Sequence, residues 1–87
     1  MRVRKDFILR NVGGERVVVA VGKASRRFDG IIMLNESGEI LWRELQKGAT
    51  EKTLVSALLS EYNIDEKTAR ADVEAFVKKL SDAGAIV

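Results

Sequence analysis

The sequence predicts an α+β, winged helix-turn-helix-like fold, in which a three-stranded antiparallel sheet is followed by three α-helices. Two observations predict it: segments rich in β-branched residues come first, and three amphipathic helical patterns with tight connections follow. Each amphipathic element must bury its one apolar side, so helices covering one face of a small sheet are the simplest solution. Because the 87 residues contain no linker or repeat, residues 1–87 are expected to form a single domain.

The strand patterns occupy the chain up to residue 34. FILRNV (7–12) and ERVVVAV (15–21) are rich in β-branched residues and flank Gly13-Gly14, a pair that suits the positive φ angles of a two-residue hairpin turn. GKASRRFD (22–29) has no periodicity and predicts a loop. The short apolar segment GIIML predicts a third strand over residues 30–34.

The helical patterns begin at residue 35, and each has a start signal. Asn35, Thr50 and Asp65 are suited to cap the three helices, while Gly48 and Gly84 end the first and the third. The second helix has an apolar stripe of Leu54, Val55, Leu58, Leu59 and Tyr62. The stripe of the third helix is Ala69, Val73, Phe76, Leu80 and Ala83. The last residues, AIV, are expected to pack back on the sheet.

The composition excludes most catalytic chemistry. The chain has no Cys and no His, so thiolate nucleophiles, imidazole bases and the usual zinc ligands are missing, and we expect neither an enzyme nor a cofactor. The longest apolar run, Val17 to Val21, is too short for a membrane span or a signal-peptide core. A cytoplasmic protein without a membrane partner is therefore the expectation.

Charge is distributed unevenly, which raises the question of nucleic-acid binding. Residues 1–27 hold eight basic residues against two acids, whereas residues 28–87 hold seven against eleven. A basic cluster supplies salt-dependent affinity for nucleic acid, although a solvated strand face with a frayed chain end is the favoured explanation. A winged helix would read DNA through its third helix, and residues 65–82 carry four basic and five acidic residues. Nucleic acid is therefore disfavoured as a partner, and a winged-helix transcriptional regulator remains the alternative function.

The third strand offers a different kind of site. Gly30, Ile31, Ile32, Met33 and Leu34 form a short segment that is last in the sheet before the helices begin. If this strand lies at an edge, its unpaired N–H and C=O groups form a template for another extended peptide. Strand addition gains affinity from main-chain hydrogen bonds and specificity from pockets for alternate side chains. The same free edge predicts self-association by strand pairing or swapping, giving a homodimer.

The second wall of such a site is expected on the third helix. On a helical wheel, one flank of the core stripe holds Arg70, Glu74, Val77 and Ser81. The other flank holds Asp72, Ala75 and Lys79. Because only the first flank places a large aliphatic group beside the stripe, we expect it to face the third strand. The predicted wall consists of Arg70, Val73, Glu74, Val77, Lys78 and Ser81, although a simple rim of the core would show the same pattern.

Four features of the chain occur together in a characteristic order. They are the apolar strand running into LNESG (34–38), the pair Leu41-Trp42, YNID (62–65) before the last helix, and DVEAFVKKL (72–80). In this order and spacing the sequence resembles the PqqD family, which is named for a protein of pyrroloquinoline quinone biosynthesis. The resemblance covers nearly the whole chain, from Phe7 to Val87.

The resemblance implies a non-catalytic recognition element for ribosomally made and modified peptides. Such winged helix-turn-helix proteins act as peptide chaperones: they capture the leader segment of a precursor peptide and present its core to a modifying enzyme, commonly a radical S-adenosylmethionine (SAM) enzyme. In the family, the leader adds as a strand beside the third strand, in the groove against the third helix. Carried onto this chain, residues 30–34 supply the backbone edge and the flank within residues 70–81 supplies the side-chain wall.

Overall fold

The computed structural model describes residues 1–28 and 30–87 and confirms the predicted fold class. Its strands are β1 (Phe7–Val12), β2 (Glu15–Ala20) and β3 (Ile31–Leu34), and its helices are α1 (Glu36–Lys47), α2 (Glu51–Glu61) and α3 (Glu66–Asp82). The sheet has the order β1-β2-β3 and both pairings are antiparallel. Within the described chain, β3 therefore pairs with β2 on one side only.

The hairpin between β1 and β2 has the predicted turn. Gly13 and Gly14 both have positive φ angles, 59° and 83°, which allow the two-residue connection between Val12 and Glu15. The register then runs across the sheet, with Arg16 opposite Leu34 and Val19 opposite Ile31 in the pairing of β2 with β3. This register decides which residues of β3 face the core.

Two predicted details need correction. Residues 22–26 of the predicted loop form a short 3-10 helix, Gly22–Arg26, in which Ala24 is buried and Ser25 Oγ donates to Gly22 O at 2.7 Å. Gly30 lies at a bend before β3 rather than in it, and Asp29 is outside the described residues. In the C-terminal tail, Ile86 forms a bridge with Val3, in the segment before the sheet, and Ala85 is buried in the core that includes residues of the sheet.

The three predicted caps are confirmed. Asn35 Oδ1 accepts from the Gly38 backbone N–H at 2.8 Å, Thr50 Oγ1 from Thr53 at 3.1 Å and Asp65 Oδ1 from Thr68 at 2.8 Å. The bonds that Asp65 accepts from Thr68 also lower the pKa of its carboxyl. Each cap satisfies an N–H that has no partner within its helix, so the helix starts are fixed locally by the sequence.

The core lies between the inner face of the sheet and the helices. Its largest fully buried side chains come from β2 and from all three helices: Val18, Trp42, Leu45, Leu54, Leu58, Val73 and Leu80. In the predicted stripe of α2, Leu59 is instead 38% exposed. Trp42 is fully buried, although its Nε1–H has no acceptor among the described residues. None of the helices in 1–28 and 30–87 is both long and apolar enough to cross a membrane.

Candidate functional site

A groove of about 780 Å³ lies beside β3. One wall is the end of β3 with the residues that lead into α1, and the opposite wall is α3. The hairpin end of β2 closes one end. The lining residues are Gly14, Glu15, Arg16, Met33, Leu34, Asn35, Glu36, Ser37, Gly38, Leu41, Asp72, Ala75, Phe76 and Lys79.

The side chains of β3 alternate between the core and solvent. Ile32 and Leu34 are buried, whereas Ile31 and Met33 are 58% and 46% exposed. This alternation is the period-two pattern of a strand with one covered face. Two large apolar side chains therefore remain exposed on the strand that forms the sheet edge.

The backbone of β3 also alternates, and one contact shows its direction. Lys79 Nζ lies 3.4 Å from Met33 O, so this carbonyl points toward α3 and away from β2. In an antiparallel ladder successive residues direct their N–H and C=O groups to opposite sides. Ile32 and Leu34 therefore bond to β2, while Ile31 and Met33 direct their polar groups to the free edge, where a further strand would pair.

The α3 side of the groove is apolar in the middle and charged at both ends. Phe76 is half-buried against the core, and Ala75 beside it is small and exposed. Asp72 lies on the preceding turn and Lys79 on the following one. The surface has room for an extended backbone next to Ala75 and an apolar contact on Phe76.

The structure places the predicted α3 wall elsewhere. Val73 is fully buried in the core, and Val77 is half-buried against it. Arg70 and Glu74 line a separate surface depression with Glu66, Lys67 and Ala71. None of Arg70, Val73, Glu74, Val77, Lys78 and Ser81 lines the groove, whereas Met33 and Leu34 of the predicted edge do. The expectation that this flank faces β3 is therefore not met; the flank of Asp72, Ala75 and Lys79 lies there.

Two signals in the sequence favour the flank that lines the groove. Ala75 is small, which permits close approach of another backbone. Lys79 is a cation of the kind that natural proteins place against free sheet edges to prevent uncontrolled pairing. The prediction from the helical wheel instead chose the flank that contains a large aliphatic residue, Val77. In the structure Val77 lies at the margin of the core.

Hydrogen bonds and ion pairs fix the charged residues around the entrance to α1. Tyr62 Oη donates to Glu36 Oε1 at 2.8 Å, and this bond raises the pKa of the phenol. Glu39 accepts from Arg43 at 2.7 Å and pairs with Arg16 on β2. The bonds from Arg43 and then Arg16 lower the pKa of the Glu39 carboxyl. Arg16 is thus occupied by Glu39, although it also lines the groove.

The surface of α3 does not present a row of cations suited to phosphates. Arg70 pairs with Glu66 at 3.1 Å and Lys78 with Asp82 at 3.0 Å. Lys79 contacts the Met33 carbonyl instead of an acid. Across the part of the chain that the structure describes, no cluster of His, Cys, Asp and Glu is arranged to hold a metal ion. The geometry favours a main-chain binding site over a DNA-reading helix.

Comparisons with known proteins give one family and one fold. The sequence model of the family described as coenzyme PQQ synthesis protein D (PqqD) matches residues 8–86. No curated protein sequence shows a match. The solved structure of TbiB1 in complex with the TbiA(beta) leader peptide is similar, with a TM-score of 0.78 at 20% identity over 98% of this chain and 93% of that chain.

A second solved structure has the same fold. It is a lasso peptide synthetase B1 complexed with the leader peptide, with a TM-score of 0.75 at 21% identity. The alignment covers 97% of this chain and 93% of that chain. At these identities the likeness establishes that the backbone fold is shared.

Proposed function

Because the chain belongs to the PqqD family, we propose that it binds the leader segment of a ribosomally made precursor peptide and does not itself catalyse a reaction. The leader adds to the sheet as a fourth strand at the free edge of β3. The solved relatives with this fold are complexes with leader peptides, which supports the same kind of ligand here.

The observation that carries the proposal is the free edge of β3 facing α3 across a groove. Ile31 and Met33 direct main-chain donors and acceptors into it, and the contact from Lys79 shows that the Met33 carbonyl is accessible from the α3 side. A bound strand gains main-chain hydrogen bonds of roughly 1 kcal/mol each, together with apolar burial against Phe76.

The site that we propose joins the predicted edge, Gly30 to Leu34, to the flank of α3 that lines the groove. That flank supplies Asp72, Ala75 and Lys79, and Phe76 of the adjacent core stripe also lines the groove. The wall predicted from the wheel, within residues 70–81, is the competing assignment. The two assignments differ in which side of α3 the leader contacts. The amide resonances that shift on leader binding therefore distinguish them.

Leader binding serves a partner enzyme in this proposal. A disordered leader loses conformational entropy when it becomes a strand, which reduces its net affinity. Tethering then raises the effective concentration of the core segment near the active site of the modifying enzyme. We propose that this enzyme is a radical SAM enzyme and that both proteins act in the cytoplasm. A second copy of the chain would pair at the same edge, so a strand-paired homodimer and the leader complex exclude each other.

The test is a titration of the isotopically labelled chain with synthetic leader peptides of ribosomally made precursors. We expect amide resonances of residues 30–34 to shift together with those of Asp72, Ala75, Phe76 and Lys79. The lone Trp42 is fully buried, so its emission should hardly change and serves as a folding control. Shifts centred on Arg70, Glu74 and Ser81 would support the competing wall, and shifts confined to residues 1–27 would contradict the site.

A further inference from the structure

The acidic residues of the groove and its basic residue Lys79 lie at different positions along its length. Glu15, Glu36 and Asp72 line it together with Arg16 and Lys79. Arg16 is paired with Glu39. Since Arg16 lies opposite Leu34, Glu15 is level with the residues just after β3, next to Glu36. Two acids therefore lie at the Leu34 end of the groove, and Lys79 lies at Met33.

Three contacts show that α3 runs antiparallel to β3. The Tyr62 hydrogen bond to Glu36 ties the segment before α3 to the Leu34 end of the strand. Lys79 then reaches Met33. Beyond it, Ala83 and Gly84 share a cleft with Phe28, which precedes β3. Asp72, two turns before Lys79, therefore lies toward Glu36 and adds a third acid to that end.

The spacing of these charges fits one face of a strand. Asp72 and Lys79 are seven residues apart in α3, a rise of about 10.5 Å along the helix axis. Alternate residues of a strand point to the same face, so residues i, i+2 and i+4 span about 13 Å. The length of the charged side chains compensates for the difference between the helix distance and the strand distance. The middle residue of such a triplet faces Ala75 and Phe76, the apolar part of the α3 wall.

We propose that this groove selects leaders with a basic residue, an apolar residue and an acidic residue at alternate positions, in that order from the N-terminus. The proposal rests on leader binding at β3. The basic residue faces the acids near Glu36 and Asp72, and the acidic residue faces Lys79 in place of the Met33 carbonyl. The order follows from antiparallel addition, the pairing used throughout this sheet. The N-terminal part of such a strand lies beside Glu36, beyond Leu34, and its acidic residue lies opposite Met33.

The experiment is selection of a displayed library of short random peptides against three immobilised forms of the whole chain: wild type, D72K/K79E and R70E/E74R. Both double variants keep the net charge. The first reverses the two charges that α3 contributes to the groove, and the second reverses two charges on the other flank of α3 as a matched control. Circular dichroism and Trp42 emission confirm that each variant is folded.

For wild type, peptides with the basic residue first should be enriched about tenfold over those with the acidic residue first, because each exposed charge pair contributes up to about 1 kcal/mol. D72K/K79E should lose this preference, because Glu15 and Glu36 remain beside the lysine introduced at position 72 while the glutamate introduced at position 79 faces Met33, and R70E/E74R should keep the wild-type order. Equal enrichment of both orders on wild type, or the same preferred order for D72K/K79E and wild type, would overturn the charge rule and leave leader binding intact. Inversion by R70E/E74R would also overturn it. If no peptide is enriched on any folded form, leader binding itself is contradicted.

Discussion

The sheet has two outer strands, and only one of them faces a groove suited to a peptide. β1 is the longer edge, with six residues against four in β3. Its neighbouring cleft holds about 300 Å³ and is walled by Glu39, Arg43 and Gln46 of α1. The groove beside β3 holds about 780 Å³ and includes Leu41, Ala75 and Phe76. The β3 edge is therefore the better candidate for strand addition, because an apolar wall lies opposite it.

The cleft beside β1 already contains a network of ion pairs. Glu39 bonds Arg43 and Arg16 there, which leaves an incoming strand to compete with an ion-pair network. At β3 the competing contact is the single long hydrogen bond from Lys79 to Met33. A leader strand at β3 would displace one exposed lysine, whereas in the cleft beside β1 it would meet the paired Glu39, Arg43 and Arg16. Binding at β3 is therefore the less costly alternative.

The largest effect is expected from closing the β3 edge with Met33→Pro. The substitution removes the N–H that a leader strand would bond, and it removes none of the bonds to β2, because the polar groups of Met33 point to the free edge. Because the lost bond also leaves a leader carbonyl unpaired, we expect leader affinity to fall up to about 100-fold, or about 2.7 kcal/mol, when measured by fluorescence anisotropy.

Asn11→Pro is the matched control on β1. Val21 N–H bonds Asp6 O at 2.8 Å, so the alternation along β1 directs the N–H of Asn11 to the other sheet edge. The control loses the exposed bond from Gly14 to Asn11 and should keep leader affinity within about twofold. If Asn11→Pro removes binding while Met33→Pro preserves it, the two edges have been assigned the wrong way round.

A smaller effect is expected from the side-chain wall. Phe76→Ala removes the apolar surface on the groove side of α3 and should weaken leader binding about tenfold. Val77→Ala is the matched variant, since Val77 is also half-buried against the core but lies outside the groove. Both should lower the free energy of unfolding by about 1–4 kcal/mol. Isothermal titration calorimetry below the melting transition separates the two effects, and equal loss of affinity would indicate a general loss of stability.

The residues that sequence reasoning predicted and those it missed differ in a physical way. The caps at Asn35, Thr50 and Asp65 and the Gly13-Gly14 turn are local, since each depends on bonds within four residues. The choice between the flanks of α3 is not local. A wheel gives directions around the axis of one helix, but the core stripe has neighbours on both sides. The side that meets β3 is set by the path of the chain through α2, which no periodicity records.

The 3-10 helix at residues 22–26 was missed for a related reason. Five residues are too few to show a period, and its contacts, such as Ser25 to Gly22, are those of any turn. β3 was found because its apolar residues and the cap after it are both visible in the sequence. The sequence pattern does not show that an open groove lies beside the β3 edge, because the groove depends on how the helices pack against the sheet.

The smallest effect is expected from Glu39→Gln, which weakens the ion pairs beside β1. Arg43 and Arg16 lower the pKa of Glu39 below its ordinary value of 4.5 in the native state. The resulting stabilisation is fully present above about pH 4.5 and disappears as the pH falls through the native pKa. Melting curves of wild type and variant should therefore differ slightly at pH 7 and converge in acid.

Glu74→Gln provides the comparison for that measurement, because Glu74 is exposed on α3 and has no ion pair within the described residues. Its melting temperature should follow that of wild type at every pH. Neither substitution should change leader affinity by more than about twofold, since neither residue lines the β3 groove. A large loss of leader affinity in Glu39→Gln alone would mean that the β1 side takes part in binding. The preference for the β3 edge would then need another cause than the charges that fill the cleft beside β1.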